Sequence, residues 1–203
     1  MQSKETTGIH IEGHLKIYDP VSSEVFVNKR NAIHYENMSI ALAKSIADRG
    51  QGFIYKMGFG NGGTAVDPTG IITYLTPNSS GVNASLYNQT FSKIVDDRSS
   101  NNVNPLRNFI DTRHVSGTNY TDVFVSCLLD YSEPDGQSAF DTATSVNDLF
   151  VFDEIGLKSY SDTESDEMLL THVIFHPIQK SLNRLIQIDY TVRIQSLTAL
   201  IGV

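Results

Sequence analysis

Apolar and polar residues alternate with period two near both ends of the chain. Ile186, Ile188, Tyr190, Val192 and Ile194 fall on one face of a late segment, and Gln187, Asp189, Thr191 and Arg193 fall on the other. Such alternation predicts a half-buried antiparallel strand. An early segment repeats the pattern, with Ile9, Ile11, Leu15 and Ile17 opposed to His10, Glu12, His14 and Lys16. Asp19-Pro20 ends it, Val21 to Glu24 supply a turn, and Val25 to Val27 begin a partner strand. Residues 8–28 are therefore predicted to form a hairpin.

Period 3.6 is confined to residues 33–49, where Met38, Leu42 and Ile46 recur every four positions beside Ala41 and Ser45. This predicts one helix, with Asn31 as its N-cap and Gly50 at its C-terminal cap. Further strands are predicted over Gly52–Gly60, Ile71–Leu75, Phe109–Val115 and Tyr120–Asp130. Two more cover Phe152–Leu157 and Leu169–Phe175. Phe91 and Ile94 anchor the chain between two polar loops, 76–90 and 97–105. Residues 131–147 make a third such connection, with Glu133-Pro134-Asp135-Gly136 as its turn signal. Sequential strands with one helix and no strand–helix alternation predict a mainly β chain. The expected fold is a single antiparallel β-sandwich, or flattened barrel, over residues 1–203.

Composition sharpens this picture. Charged residues make up 19% of the 203 residues, below the usual share of about 25%. Asn, Ser, Thr and Gly replace them, which suits strands, turns and protein-facing surfaces. The net charge of −8 argues against nucleic-acid binding as the main task, because counterion release needs clustered Lys and Arg, and only Lys29-Arg30 are adjacent. Cys127 lies in an apolar run and reads as a small buried hydrophobe. The start of the chain carries no apolar signal segment, and no stretch is long and apolar enough for a membrane span. The sequons at Asn37, Asn78, Asn83, Asn88 and Asn119 read as chance matches in an Asn- and Ser-rich chain.

Candidate chemistry is thin. Gly58-Phe59-Gly60-Asn61-Gly62-Gly63 has the glycines of a phosphate loop, but no helix can follow through Ala65 to Gly70, so a strand-end turn is expected. His10 and His14, like His172 and His176, are four apart, which on a strand is about 13 Å and too far for one metal ion. Asp162 to Glu167 alternate acidic residues without the glycine and spacing of a calcium loop, so a solvated hairpin tip is expected. Nucleophile elbows and Cys–His arrangements are absent. No catalytic residue, metal or cofactor is expected.

The order of elements resembles structural proteins of tailed bacteriophages. The features that carry the resemblance are the turn Gly60 to Thr64 after a strand and an Asn-rich loop leading to Leu86-Tyr87-Asn88. Glu154 to Leu157 follow, then an acidic turn, Phe175-His176-Pro177, Lys180 and the alternating strand Leu185 to Ile194. The segment Asn31 to Ala47 is similar to virion proteins of contractile-tailed phages. The resemblance implies a β-sandwich of the neck, collar, baseplate or fibre-attachment region that works by docking. Two departures matter: the sequence stops at Val203, without a long shaft or receptor-binding tip, and its Asn- and Ser-rich loops do not indicate which ring of the particle it joins.

The expected role is thus a non-enzymatic virion protein, assembled in the host cytoplasm, that forms a neck, collar or tail-adaptor ring with six- or twelve-fold symmetry and docks other virion subunits. Capsid decoration, baseplate or fibre attachment, and a carbohydrate-binding or cell-surface module are the alternatives. Expected interface residues are His10, Glu12, His14 and Lys16 of the first hairpin and Asn78, Asn83 and Tyr87 of the 76–90 loop. Leu197, Leu200 and Ile201 complete the set, in an apolar tail over 197–203 that either packs on its own subunit or reaches a neighbour.

Overall fold

The computed structural model describes residues 6–134 and 149–199. Their backbone forms two five-stranded antiparallel sheets that enclose one apolar core, as the alternation predicts. In the first sheet the order is β2 (Val25–Arg30), β1 (Thr6–Tyr18), β12 (Ile186–Ala199), β9 (Tyr120–Leu129), β8 (Phe109–His114). In the second it is β3 (Ala32–Ile33), β11 (Thr171–Ser181), β10 (Leu149–Ser159), β4 (Ile54–Gly60), β7 (Gln89–Ile94). A small hairpin, β5 (Thr64–Val66) with β6 (Ile72–Tyr74), forms a separate two-stranded sheet. The two ends of the chain meet: β1 and β12 pair from Thr6↔Ala199 to Tyr18↔Gln187.

Alternate residues of the two sheets fill the space between them. Leu15, Ile17, Ile188, Tyr190 and Val192 come from the first sheet; Met57, Phe59, Phe150, Phe152, Ile155 and Leu157 come from the second. Cys127 is buried among them, and burial pushes its thiol up to about 12, so it behaves as a small hydrophobe. Lys29 ties the sheets together at one edge by donating to the Ile174 carbonyl at 2.8 Å.

The helix α1 (Tyr35–Ile46) is shorter than the predicted 33–49, because Ala32 and Ile33 are drawn into pairing with His172 and Thr171. His34, not Asn31, is the N-cap; its Nδ1 accepts from the Asn37 amide at 3.1 Å. At the other end Ala47 is the cap, and the chain reverses through left-handed Asp48 and Gly50. Of the expected apolar stripe, Met38 is buried and Leu42 partly so, but Ile46 is 83% exposed.

The loop 97–105 is mostly exposed, as its composition predicts, but it has one buried member. Asn102 is buried and its amide donates to the carbonyls of Asp96 and Asn108, at 3.2 and 2.8 Å. Phe91 and Ile94 belong to the edge strand β7. The connection 131–147 lies mostly outside the described residues. Its first turn is held by Lys180, whose buried ammonium donates to the carbonyls of Asp130, Glu133 and Ser181 at 2.9, 2.7 and 2.8 Å.

Burial pushes the Lys180 amine down to about 8, against the pull of Glu133 and Asp130. Between that value and its ordinary 10.5 the unfolded chain holds a proton that the folded chain has lost, so stability rises with pH across this window. The rise from pH 8 to 9.5 is about 1–2 kcal/mol. Lys180→Met removes it; urea unfolding at the two pH values should show a flatter dependence for the variant.

Candidate docking surface

The short motifs of the sequence converge on one place, the outer face of the second sheet. The inward set on β10 changes parity, from Phe150 and Phe152 to Ile155 and Leu157, across an irregular register with β11 between Phe152 and Glu154. Asp153 and Glu154 consequently both turn away from the core, a known use of such irregularities. Asp153 accepts from the amides of Gly63 and Thr64 at 2.9 Å each, and from the Thr64 hydroxyl. Glu154 accepts from the amides of Gly62, Asn88 and Tyr87 at 3.1, 2.8 and 3.0 Å.

His172 completes the cluster from β11. Its Nδ1 accepts from the Asn78 amide at 2.8 Å, so the ring carries its proton on Nε2 and donates to Glu154 at 2.9 Å. Both side chains are fully buried. Burial alone would raise the Glu154 carboxyl; the His172 donor and three backbone amides outweigh it and hold the carboxyl below its ordinary value. Two buried carboxylates and one imidazole thereby pin the turn 60–64 and both ends of the 76–88 loop. Their hydrogen-bonding capacity is spent on backbone, which makes them a latch.

Glycines let that loop lie close. Gly58 and Gly156 face each other across β4 and β10, and Leu86, 4% exposed, rests on the trough they leave. A Cβ at Gly60 would stand 2.5 Å from the Asn88 carbonyl oxygen. Gly60→Ala should cost about 1–3 kcal/mol in chemical denaturation and open 76–88 to limited proteolysis, because the carbonyl it displaces sits in the latch.

The expected interface residues fall into three groups. His10, Glu12, His14 and Lys16 share the outer face of the first sheet, where Glu12 lies opposite Arg193, and Arg193 pairs with Asp122 at 2.8 and 2.9 Å. His10 and Arg30 each stand 4.0 Å from Glu12. In the 76–90 loop, the Asn78 amide is used by the latch, Asn83 is exposed, and Tyr87 keeps its ring half in solvent while its hydroxyl donates to the Thr76 carbonyl at 2.7 Å. Leu197 is 45% exposed; Leu200 and Ile201 lie outside the described residues. Leu197, opposite Gly8, shares the outer face of the first sheet with His10 and Glu12, whereas the 76–90 residues are held against the second sheet.

The composition of one end of the sandwich was not foreseen from the sequence. β9 stops pairing with β12 at Gln195, and β2 stops pairing with β1 at His14, whereas β1 and β12 continue together to Thr6 and Ala199. This two-stranded ribbon carries the inner apolar stripe past the core: Ile17 and Leu15 are fully buried, Ile11 is partly buried, and Ile9 is 67% exposed. At the base of the ribbon a cleft of about 490 Å³ opens between α1 and the inner face of β8 and β9. Met38, Ala41, Phe53, Ile110, Val123 and Val192 line it, with Ser45, Asp97 and Arg98 at the rim.

A second surface gathers Phe53, Tyr55 and Tyr160 beside Arg98. Phe53 stacks on Tyr160 with ring centres 5.0 Å apart, Tyr55 meets Tyr160 edge-on, and the Arg98 guanidinium lies 4.9 Å from the Phe53 ring centre. Asp96 fixes Arg98 through two bonds, at 2.9 and 3.2 Å. Among the described residues no group of three or more His, Cys, Asp or Glu side chains could hold a metal ion. No described helix is long and apolar enough to cross a membrane. Comparison with protein-family models, curated proteins and solved structures yields no significant match.

Proposed function

We propose that this chain is a non-enzymatic structural protein of a tailed-phage particle. In this reading it forms a homo-oligomeric ring, six- or twelve-fold, in the neck, collar or tail-adaptor region, and docks other virion subunits onto it. The observation that carries the reading is the open apolar end of the sandwich, where Ile9, on the inner face of the projecting ribbon, is exposed beside an unfilled apolar cleft. Contiguous apolar surface of this kind marks a protein–protein contact. The resemblance of the motif order to virion proteins supplies the setting.

Native mass of the purified protein tests the assembly, and antibody labelling of particles in electron micrographs tests the location. A ring-sized mass together with label at the neck or tail supports the reading. Label spread over the shell moves the chain to capsid decoration, and label at the distal tail end moves it to the baseplate. A carbohydrate-binding module is the second reading, favoured by the aromatic cluster at Phe53, Tyr55 and Tyr160. Glycan-array binding that is lost in Tyr160→Ala would establish it.

A further inference from the structure

Two buried histidines hold one exposed segment. From Asn78 to Ser85 no residue is buried, so this stretch has no apolar anchor of its own. It is bridged internally: the Asn78 side-chain amide donates to the Ser85 carbonyl at 2.7 Å, and the Ala84 amide donates to the Gly81 carbonyl at 2.9 Å. Among the described residues its hydrogen bonds to the sandwich run through His172 at Asn78 and His34 at Gly81, and both rings are fully buried. We propose that segment 78–85 is an acid-released flap, closed while His34 and His172 are neutral and opened when they gain a proton.

Each ring is fixed as a neutral acceptor. Nδ1 of His172 accepts from the Asn78 amide at 2.8 Å, and Nδ1 of His34 accepts from the Asn37 amide at 3.1 Å. The opposite nitrogens then carry the hydrogen. Nε2 of His172 donates to Glu154 at 2.9 Å, and Nε2 of His34 donates to the Gly81 carbonyl at 3.0 Å. A proton arriving at either Nδ1 sets two N–H groups head to head. The titratable groups facing His172 are Glu154 from β10 and Tyr87 from the loop, whose ring centre lies 5.7 Å away. Glu154 retains the imidazolium through Nε2, so the Asn78 contact is the one lost. Gly81, Leu170 and Asn37, which meet His34, carry no charge, and Glu36 is the acidic residue of the same helical turn. A helix N-terminus disfavours a cation, so a charged His34 turns away from the Asn37 amide and lets Gly81 go. Opening therefore takes up protons, and falling pH favours the open form. Glu154 stays ionised through this range, because its carboxyl is held below its ordinary value, and it keeps the Tyr87 and Asn88 amides. The Tyr87 hydroxyl on the Thr76 carbonyl ties the two ends of the flap together. The device does not depend on the assembly reading.

Residue-resolved hydrogen exchange of the full-length protein tests it, with protection factors compared at about pH 7.5 and about pH 5.5. The expected result is a fall of about tenfold or more at the Asn78 and Asn37 amides, with Tyr87 and Asn88 changed by less than about threefold. In the double variant H34N/H172N the asparagine oxygen takes the acceptor position of Nδ1 without titrating, and the fall should vanish. Unchanged protection at Asn78 and Asn37 in the parent overturns the inference. A fall shared equally by Tyr87 and Asn88 also overturns it, since that is general loosening. Persistence of the fall in the double variant assigns it to another group and overturns the histidine device. Imidazole nitrogen resonances of the parent give a check that needs no variant: both Nδ1 atoms should gain a proton over the range in which Asn78 protection falls, and rings still neutral there sink the proposal.

Discussion

Glu154→Ala should lower the unfolding free energy by about 3–5 kcal/mol, the cost of leaving several buried donors without their shared acceptor. The carboxylate is fully buried and serves four donors, three of them backbone amides of Gly62, Tyr87 and Asn88 and the fourth the His172 ring. Alanine leaves these donors in a dry place with no acceptor, which is costlier than never having made the bonds. Glu154→Gln keeps the volume but turns an amide N–H toward another donor, so it should fall between alanine and the parent. Parent and variants also separate by pH. The Glu154 carboxyl is held below its ordinary value in the folded chain. Its contribution is therefore complete above the unfolded value of about 4.3 and disappears as the pH falls through the lower folded value. Denaturant midpoints of the parent should drop across that acid range, and those of Glu154→Gln should drop less. An alanine variant within about 0.5 kcal/mol of the parent would mean that the latch is not formed.

Phe152→Ala should cost a similar amount, about 3–5 kcal/mol. The ring is fully buried with its centre 5.6 Å from Phe59, 5.5 Å from Phe150 and 5.7 Å from Phe175. Its neighbours lie on three different strands of the second sheet, so no single side chain can swing in to fill the space. The cavity term then adds to the lost transfer energy. Phe152→Leu refills part of the volume and should cost distinctly less. Urea unfolding of the pair reads both numbers, and a loss below about 1 kcal/mol for alanine would contradict a shared aromatic core. Unlike Glu154→Ala, this change should leave acid sensitivity as it is, because it touches no titrating group of the latch.

Much of the β architecture was legible because burial of one sheet face imposes period two. The alternation in 9–17 and 186–194 placed both strands correctly, and the structure pairs them with each other, Ile11 opposite Ile194 and Ile17 opposite Ile188. The boundaries of α1 were less legible. Met38, Leu42 and Ile46 mark a helix, but pairing of Ile33 with Thr171 of β11 takes its first predicted residue, a contact more than a hundred positions away in sequence. Asn- and Ser-rich composition correctly placed most of the 76–88 and 97–105 loops at the surface, apart from single buried residues. Asn102 and the 76–88 segment look solvated as a string of residues, yet Asn102 bridges two carbonyls inside, and Leu86 plugs the trough at Gly58 and Gly156.

The latch was visible only in fragments. The break in alternation at Phe152-Asp153-Glu154-Ile155 signals an irregular strand, and the glycines of 58–63 signal close backbone approach. Neither says that one carboxylate answers three amides from two separate segments. His172 reads as one member of a widely spaced histidine pair until its Nε2 is seen to face Glu154. Local chemistry in the chain therefore identified the parts without their assembly.

By itself the sequence determined the secondary-structure class, the inward face of the terminal strands and the turn at Gly60 to Thr64, because each depends on periodicity or on steric demands within a few residues. The tertiary structure alone decided which termini meet, which polar groups are buried together, and that one end of the sandwich stays open between α1 and the β1–β12 ribbon. These features depend on the unequal lengths of strands brought together from distant parts of the chain, and strand overhang leaves no mark in the local pattern of apolar and polar residues.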